Sequence, residues 1–163
     1  MQPILPLFEL PEVLQLFTKD KRFFIIGNGG SAKNAEHFAS DMRELGYDAD
    51  ALCDSGNLTA IGNDFGYENT FAKQLMTKKL NNWILVALSG SGNSKNILEA
   101  VSWAKQNKGI VITLTSGLQG KLRSEGQYNI LIQSTDMEDI ETTTLYIMHY
   151  IKKELKKAKN NPS

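Results

Sequence analysis

Five short apolar runs alternate with longer amphipathic stretches along the chain, and this alternation restricts the fold more than any other feature. The runs occupy residues 22–27, 48–53, 83–89, 109–115 and 128–133. They are apolar without a strict polar–apolar alternation, which is typical of strands covered on both faces. Strand–helix alternation at this spacing predicts a parallel sheet with right-handed crossovers. We therefore expect an α/β fold, a three-layer α/β/α sandwich around a five-stranded parallel sheet of flavodoxin-like or Rossmann-like type.

The stretches between the runs predict the helices. They cover residues 31–45, 63–80, 94–108 and 120–126. A chain of 163 residues has room for one domain with a proper core and too little for two ordinary domains. We expect a single domain over residues 1–163, with a short N-terminal helical segment (1–21), a parallel α/β core (22–133) and a C-terminal helix (137–158).

The composition excludes several classes of protein. Eighteen basic residues balance eighteen acidic ones, which is a poor electrostatic footprint for nucleic-acid binding, although a local basic patch stays open. No apolar run approaches the ~18 residues of a membrane span, and the N-terminus has no basic region of a signal peptide. Cys53, the one cysteine, fits a reducing compartment and is expected to be a small buried strand residue. We expect a cytoplasmic protein that binds neither nucleic acid nor membranes.

Two loops that follow predicted strands are built from serine, glycine and asparagine. The first, "GNGGS", covers residues 27–31, and the second, "SGSGNS", covers residues 89–94. In a parallel α/β sheet, ligands bind outside the carboxyl ends of the strands. Glycines let the backbone approach a ligand closely, and the helix after each loop offers free N–H groups and a partial positive charge.

These loops predict a site for a phosphate monoester that is bound by the hydroxyl groups of Ser31, Ser89, Ser91 and Ser94. Hydroxyls add short hydrogen-bond donors with little bulk beside the helix N-termini. A nucleotide P-loop is excluded because its GK[ST] ending is absent, and Lys95 follows Ser94 instead of preceding it. Either loop alone could be a tight turn with an N-cap, but two such loops in one sheet favour the phosphate site.

Four motifs occur along the chain in the order "IGNGGSAKNAEHFASD", "LTAIGNDFGYENTFAKQL", "ALSGSGNSKNILEA" and "DIETTTLYIMHYI", within about residues 23–155. In these motifs the chain resembles the phosphoheptose isomerase branch of the SIS (sugar isomerase) domain family. The resemblance implies a SIS-type fold and an aldose–ketose isomerase that converts sedoheptulose 7-phosphate to D-glycero-D-manno-heptose 7-phosphate through an enediol(ate). It also implies heptose biosynthesis for lipopolysaccharide or capsule, a homotetramer with a dimer as the alternative, and one zinc ion per subunit.

The resemblance also implies which residues bind the substrate. Phosphate binding matches the four serines that the loops already indicate. The further positions that match substrate contacts are Asn28, Gly29, Gly30, Asp64, Gly90 and Glu141.

The two histidines of the chain, His37 and His149, are candidates for acid–base and metal chemistry. His37 and Asp41 are four residues apart and share one face of a predicted helix. Glu141 and His149 are about 80° apart around the last helix and about 12 Å apart along it, too far to chelate one ion without groups between them or a second subunit. From the residues alone, a partly buried structural role is the favoured interpretation for each histidine.

The resemblance implies that His37, Asp41, Glu141 and His149 form the metal and acid–base cluster, with Asp41 and His149 as the catalytic pair. Two imidazoles and two carboxylates suit zinc or a similar divalent ion.

The chain departs from the family pattern in its catalytic half. Asp41 replaces a glutamate, Glu141 a glutamine, Gly90 a hydroxyl-bearing residue, Asp139 a basic residue and Thr144 a histidine. Two alternatives to a phosphoheptose isomerase therefore stay open. One is a non-catalytic SIS protein that binds a phosphosugar or a protein partner, as replication-initiator-associating SIS proteins do. The other is an isomerase of another ketose phosphate.

Overall fold

The computed structural model describes residues 10–160 of the chain, so the first nine residues of the expected N-terminal segment lie outside it. Its strands are Arg22–Ile26 (β1), Asp48–Ala51 (β2), Trp83–Ser89 (β3), Ile110–Ser116 (β4) and Tyr128–Ile132 (β5). They pair in the order β2-β1-β3-β4-β5, and each neighbouring pair is parallel. The expected five-stranded parallel sheet is confirmed.

Six helices flank this sheet within the described residues: Leu10–Gln15 (α1), Gly30–Glu44 (α2), Ser55–Phe65 (α3), Thr70–Met76 (α4), Lys95–Gln106 (α5) and Met137–Asn160 (α6). The winding of the sheet reverses between β1 and β3, so right-handed crossovers put α2 and α5 on opposite faces. Helix α6 packs against α2, and α4 packs against α5, which completes the three layers. Over residues 10–160, no helix is at once long and apolar enough to cross a membrane.

The core lies on both faces of the sheet. All seven residues of β3 are buried, and Phe23, Phe24 and Ile25 of β1 have no exposed surface. Phe23 stacks on Phe17 at a ring-centroid distance of 4.9 Å, while the next residue, Phe24, meets Trp83 at 6.0 Å. Successive strand residues point to opposite faces, so double-sided burial explains why these runs lack a polar alternation.

Three local boundaries differ from the sequence-based expectation. The helix expected over residues 63–80 is divided at Gly66, whose φ of 87° ends α3, and α3 itself starts at Ser55 after the capping side chain of Asp54. The stretch 120–126 forms only a 3-10 turn, Leu122–Ser124. Strand β2 ends at Ala51, so Cys53 is buried just beyond the strand.

Cys53 gives a test of this packing. Burial raises the pKa of its thiol to about 11, and its Sγ lies 3.8 Å from the carbonyl oxygen of Gly27. At pH 8 the thiolate fraction is then lower by about two orders of magnitude than for an ordinary thiol. We expect Ellman's reagent to react at least that much more slowly with the native protein than with the urea-unfolded protein. Equal rates in the two states would contradict the buried position.

Candidate functional site

The two serine–glycine loops meet where the sheet reverses its winding direction. Strands β1 and β3 are neighbours, so the loops after Ile26 and Ser89 leave the same edge of the sheet side by side. Ligands of open α/β sheets bind in the crevice at this reversal. A pocket of about 60 Å³ lies there, and it is lined by Asn28, Ser31, Leu88, Ser89, Gly90, Ser91, Ser94 and Met137.

The polar groups of this pocket are hydroxyls and helix N-termini. Helices α2 and α5 start at the pocket, and neither has a side-chain hydrogen bond at its N-cap, Gly29 or Ser94. The hydroxyl oxygens of Ser89 and Ser94 lie 3.4 Å apart, and the Ser91 hydroxyl accepts a hydrogen bond from the Asn93 N–H. The lining residues include no lysine or arginine. The pocket is therefore suited to an anion bound by neutral donors and helix dipoles.

Gly90 lines this pocket, whereas Glu141, Gly29 and Gly30 are not among the lining residues. A Cβ atom on Gly90 would lie 2.5 Å from the methyl group of Met137, so the missing side chain lets the start of α6 close over the loop. A Cβ atom on Gly30 would collide with the Glu141 carboxylate, which therefore lies against the first loop. The backbone carbonyl of Glu141 accepts a hydrogen bond from Asn34 at 2.9 Å.

A pair of asparagines joins the first loop to the first turn of α5 across the reversal. Asn28 and Asn96 exchange hydrogen bonds through their side-chain amides, both at 2.9 Å. Asn96 is only 2% exposed, and its other bonds go to the Thr70 hydroxyl and the Ile97 N–H. The Tyr67 hydroxyl donates to Asn28 at 2.8 Å. The amide of Asn28 is thus largely engaged within the protein, and its contact with a substrate stays a prediction.

Sequence reasoning missed Asn96, although the sequence carried a signal for it. Asn96 lies four and eight residues before the buried residues Ala100 and Ala104 of α5. A polar residue in the buried stripe of an amphipathic helix needs hydrogen-bond partners, so it is a candidate for a structural network.

A second group of polar side chains lies between α2 and α6. The ligand atoms of His37, Asp41 and His149 are all within 4.8 Å of one another. The two Nε2 atoms are 2.9 Å apart, and Asp41 Oδ2 lies 3.5 Å from His37 Nε2 and 3.9 Å from His149 Nε2. The structure thus brings together three of the four residues predicted as metal ligands. Glu141 is outside the group.

The geometry of these three residues fits a metal ion. Asp41 Oδ2 is buried, and it has no hydrogen-bond partner among the described residues. Ligand atoms at about 2.0–2.1 Å from one tetrahedral ion lie roughly 3.3 Å apart, and the three observed separations bracket that value. One carboxylate and two imidazoles therefore form a candidate metal site.

A lysine that sequence reasoning did not single out completes the cluster. Lys152 Nζ donates to Asp41 Oδ1 and to Glu44 Oε2, both at 2.7 Å. The hydrogen bonds to Asp41 and then Glu44 raise the pKa of Lys152, which keeps it protonated at neutral pH. Lys152 lies three residues after His149, and Glu44 three after Asp41, so helical spacing places each pair on one face.

Asp64 is not among the residues that line the pocket. It is exposed near the end of α3, where its Oδ1 accepts a hydrogen bond from Asn63 at 2.9 Å. Its assignment to the substrate stays a prediction.

Comparison with known proteins shows the family and the fold of the chain. The sequence profile of the SIS domain matches residues 12–116. The chain is 35% identical to phosphoheptose isomerase 2 of Campylobacter jejuni, over 86% of this chain and 73% of that protein. It is also 35% identical to the phosphoheptose isomerase of Buchnera aphidicola, over 89% of this chain and 81% of the relative. The solved phosphoheptose isomerase of Neisseria gonorrhoeae superposes with a TM-score of 0.82 at 33% identity, over 91% of this chain and 83% of that one.

The asparagine pair yields a stability prediction. Asn96→Ala removes the acceptor of the Asn28 amide N–H, and it takes one of two partners from the Thr70 hydroxyl and from the Ile97 N–H, which keep the Tyr67 and Ser94 carbonyls. We expect the free energy of unfolding to fall by about 1–3 kcal/mol, measured by urea denaturation. The control is Asn63→Ala, which removes an exposed hydrogen bond and should stay within about 0.5 kcal/mol of wild type. Equal effects of the two substitutions would contradict a buried, fully bonded amide pair.

Proposed function

The chain belongs to the phosphoheptose isomerase family of SIS-domain proteins, and from this we propose that it interconverts sedoheptulose 7-phosphate and D-glycero-D-manno-heptose 7-phosphate. One observation carries the proposal: the hydroxyl pocket and the His–Asp–His group lie along the same two helices. The pocket is lined by Ser31 and Met137, which lie in the first turns of α2 and α6. The other group lies farther along the same helices and consists of His37 and Asp41 on α2 and His149 on α6. One sugar phosphate could then reach both sites.

The pocket binds the phosphate group of the substrate. Ser89 and Ser94 direct their hydroxyls toward one another, and the N-termini of α2 and α5 add uncapped N–H groups. The phosphate takes no part in the reaction, but its binding energy positions the reacting end of the sugar.

Asp41 and His149 are the proposed acid–base pair. A base removes the proton from the carbon next to the carbonyl carbon, and an acid protonates the carbonyl oxygen, which gives an enediol. The reverse transfers, with the proton delivered to the other carbon, complete the exchange of aldose and ketose. Asp41 is held by Lys152 and faces both imidazoles, so proton acceptor and proton donor lie within one cluster.

His37, Asp41 and His149 are the proposed ligands of a zinc ion. This assignment is supported by Asp41 Oδ2, which is buried and has no hydrogen-bond partner in the described part of the chain, and by the two facing imidazole nitrogens. When bound, such an ion stabilises negative charge on the oxygens of an enediolate. Glu141 lies against Gly30 and outside the three-residue group, so we propose it for the substrate side of the pocket.

We also propose that the protein is a homo-oligomer whose contact surface includes α3. No residue of this helix is fully buried: Leu58 and Ile61 are half-buried, with Leu58 against the core, and Phe65 is exposed. Phe65 is 53% exposed, and Met76 of α4 is 49% exposed. Apolar side chains collected on one exposed segment are typical of a protein–protein interface. A second copy of the chain is the proposed partner, in the tetramer or dimer that the family resemblance implies.

The activity is tested by following the exchange of a C1 proton of sedoheptulose 7-phosphate for deuterium in D2O by NMR, since C1 is the proton-bearing carbon next to the carbonyl carbon C2. We expect Asp41→Asn and His149→Ala each to lower kcat by about 10²–10⁴-fold, since each removes a general acid–base group. Ser94→Ala should mainly raise KM, by roughly 10–100-fold, because it removes a hydrogen bond to a charged group. Ser102→Ala, on the exposed side of α5, is the matched control.

Wild-type protein that exchanges no proton, with or without added zinc, would contradict the isomerase. Binding of the phosphosugar without exchange would instead support the non-catalytic SIS protein. Proton exchange only on a different ketose phosphate would support an isomerase of that other substrate.

The oligomer is tested by light scattering coupled to size-exclusion chromatography. Phe65→Glu places a charge on the α3 surface, and we expect it to shift the mass toward the monomer. The Lys73 ammonium lies 4.5 Å from the centroid of the Phe65 ring. A glutamate at position 65 therefore has a lysine of its own chain with which to form an ion pair. Leu118→Glu changes an equally exposed residue outside α3 and should leave the mass unchanged. A wild-type monomer would contradict the proposal.

A further inference from the structure

We propose that Lys152 is a positioning residue: it holds one oxygen of Asp41 so that the other faces His37 and His149. The inference rests on the proposed metal and acid–base role of Asp41. Lys152 itself lies about 22 Å of helix beyond Met137, at the opposite end from the phosphate pocket. It therefore acts on the reacting end of the site alone.

The two carboxylate oxygens of Asp41 have different contacts. Oδ1 accepts the hydrogen bond from Lys152 at 2.7 Å. Oδ2 lies 3.5 Å and 3.9 Å from the Nε2 atoms of His37 and His149 and has no hydrogen bond among the described residues. The rotation of an aspartate carboxylate is roughly two-fold, so nothing intrinsic to the side chain distinguishes these oxygens. Lys152 supplies the distinction.

Lys152 is itself fixed by one further hydrogen bond. Glu44, one turn after Asp41 on α2, accepts its second hydrogen bond at 2.7 Å. The Lys152 side chain is 25% exposed. The Lys157 side chain, which pairs with Glu154 on the same helix, is 71% exposed. A half-buried lysine that bonds two carboxylates of the neighbouring helix is held in a more fixed position than a lysine in an ordinary surface ion pair.

The short side chain of Asp41 gives this restraint its importance. The family resemblance places a glutamate at this position, and aspartate withdraws the carboxylate toward the backbone of α2. A residue that orients a metal ligand commonly accounts for about 10–100-fold in metal affinity or activity. Lys152 occupies that supporting position for Asp41.

The test compares Lys152→Met and Lys152→Arg with the control Lys157→Met. Zinc affinity is measured by competition with a chromogenic chelator in the absence of substrate, and kcat and KM are measured separately. Lys152→Met keeps the aliphatic stem and removes the donor. We expect it to weaken zinc binding by about 10–100-fold and to lower kcat over a similar range. KM should stay within about twofold, because the phosphate pocket is untouched.

The direction of the change in zinc affinity separates positioning from charge alone. If Lys152 acted only as a nearby positive charge, its removal would tighten the binding of a dication. Unchanged or tighter zinc binding by Lys152→Met therefore overturns the proposal, and so does a wild-type protein that binds no zinc. Lys152→Arg keeps donors for both carboxylates and should bind zinc nearly as tightly as wild type. A loss in Lys152→Arg as large as in Lys152→Met also overturns the proposal.

The zinc measurement keeps this inference separate from the proposed activity. Because it needs no substrate, it decides the role of Lys152 even if the wild-type protein fails to isomerise sedoheptulose 7-phosphate. Such a failure would count against the isomerase alone. Circular dichroism and the melting temperature of each variant check that the variants are folded.

Discussion

The reversal of winding between β1 and β3 is the constraint on which the whole site depends. From these neighbouring strands the chain turns to opposite faces, so α2 and α5 diverge from one crevice and point both N-termini into it. Serine hydroxyls and uncapped N–H groups then converge without a basic residue among those that line the pocket. The Asn28–Asn96 amide pair ties the first loop to the first turn of α5, the helix that follows the second loop.

The second half of the site depends on the packing of α6 against α2. His37 and His149 are 112 residues apart in the sequence, yet their Nε2 atoms lie within 2.9 Å. Helix α6 follows the last strand and returns to the face that carries α2, so the last helix lies beside the first one of the core. The two helices then carry the pocket near their N-termini and the His–Asp–His group farther along. Their packing sets the distance between phosphate binding and acid–base chemistry.

Local features of the sequence were enough to predict the strands, the two loops and the pairing of His37 with Asp41. These depend on periodicity, on turn composition and on the four-residue spacing of a helix face. The break at Gly66 was missed because helical patterns continue on both sides of that glycine. Lys152 and Asn96 were missed because their partners are 111 and 68 residues away, and local spacing carries no information about such contacts. For the same reason, helical spacing showed that Glu141 and His149 were far apart but not which of them meets His37.

The two ends of the site handle negative charge by different physical means. At the phosphate end, neutral hydroxyls and helix dipoles offer donors without a fixed counter-charge, which suits a group that must bind and leave in each cycle. At the other end, Asp41 is nearly buried, and a buried carboxylate is costly unless it is paired. Lys152 pairs one of its oxygens, while the other faces the two histidines and has no hydrogen bond within residues 10–160. A carboxylate that is fully paired would have no oxygen left for a metal ion or a substrate proton, so the half-paired state of Asp41 is what keeps this end of the site available for chemistry.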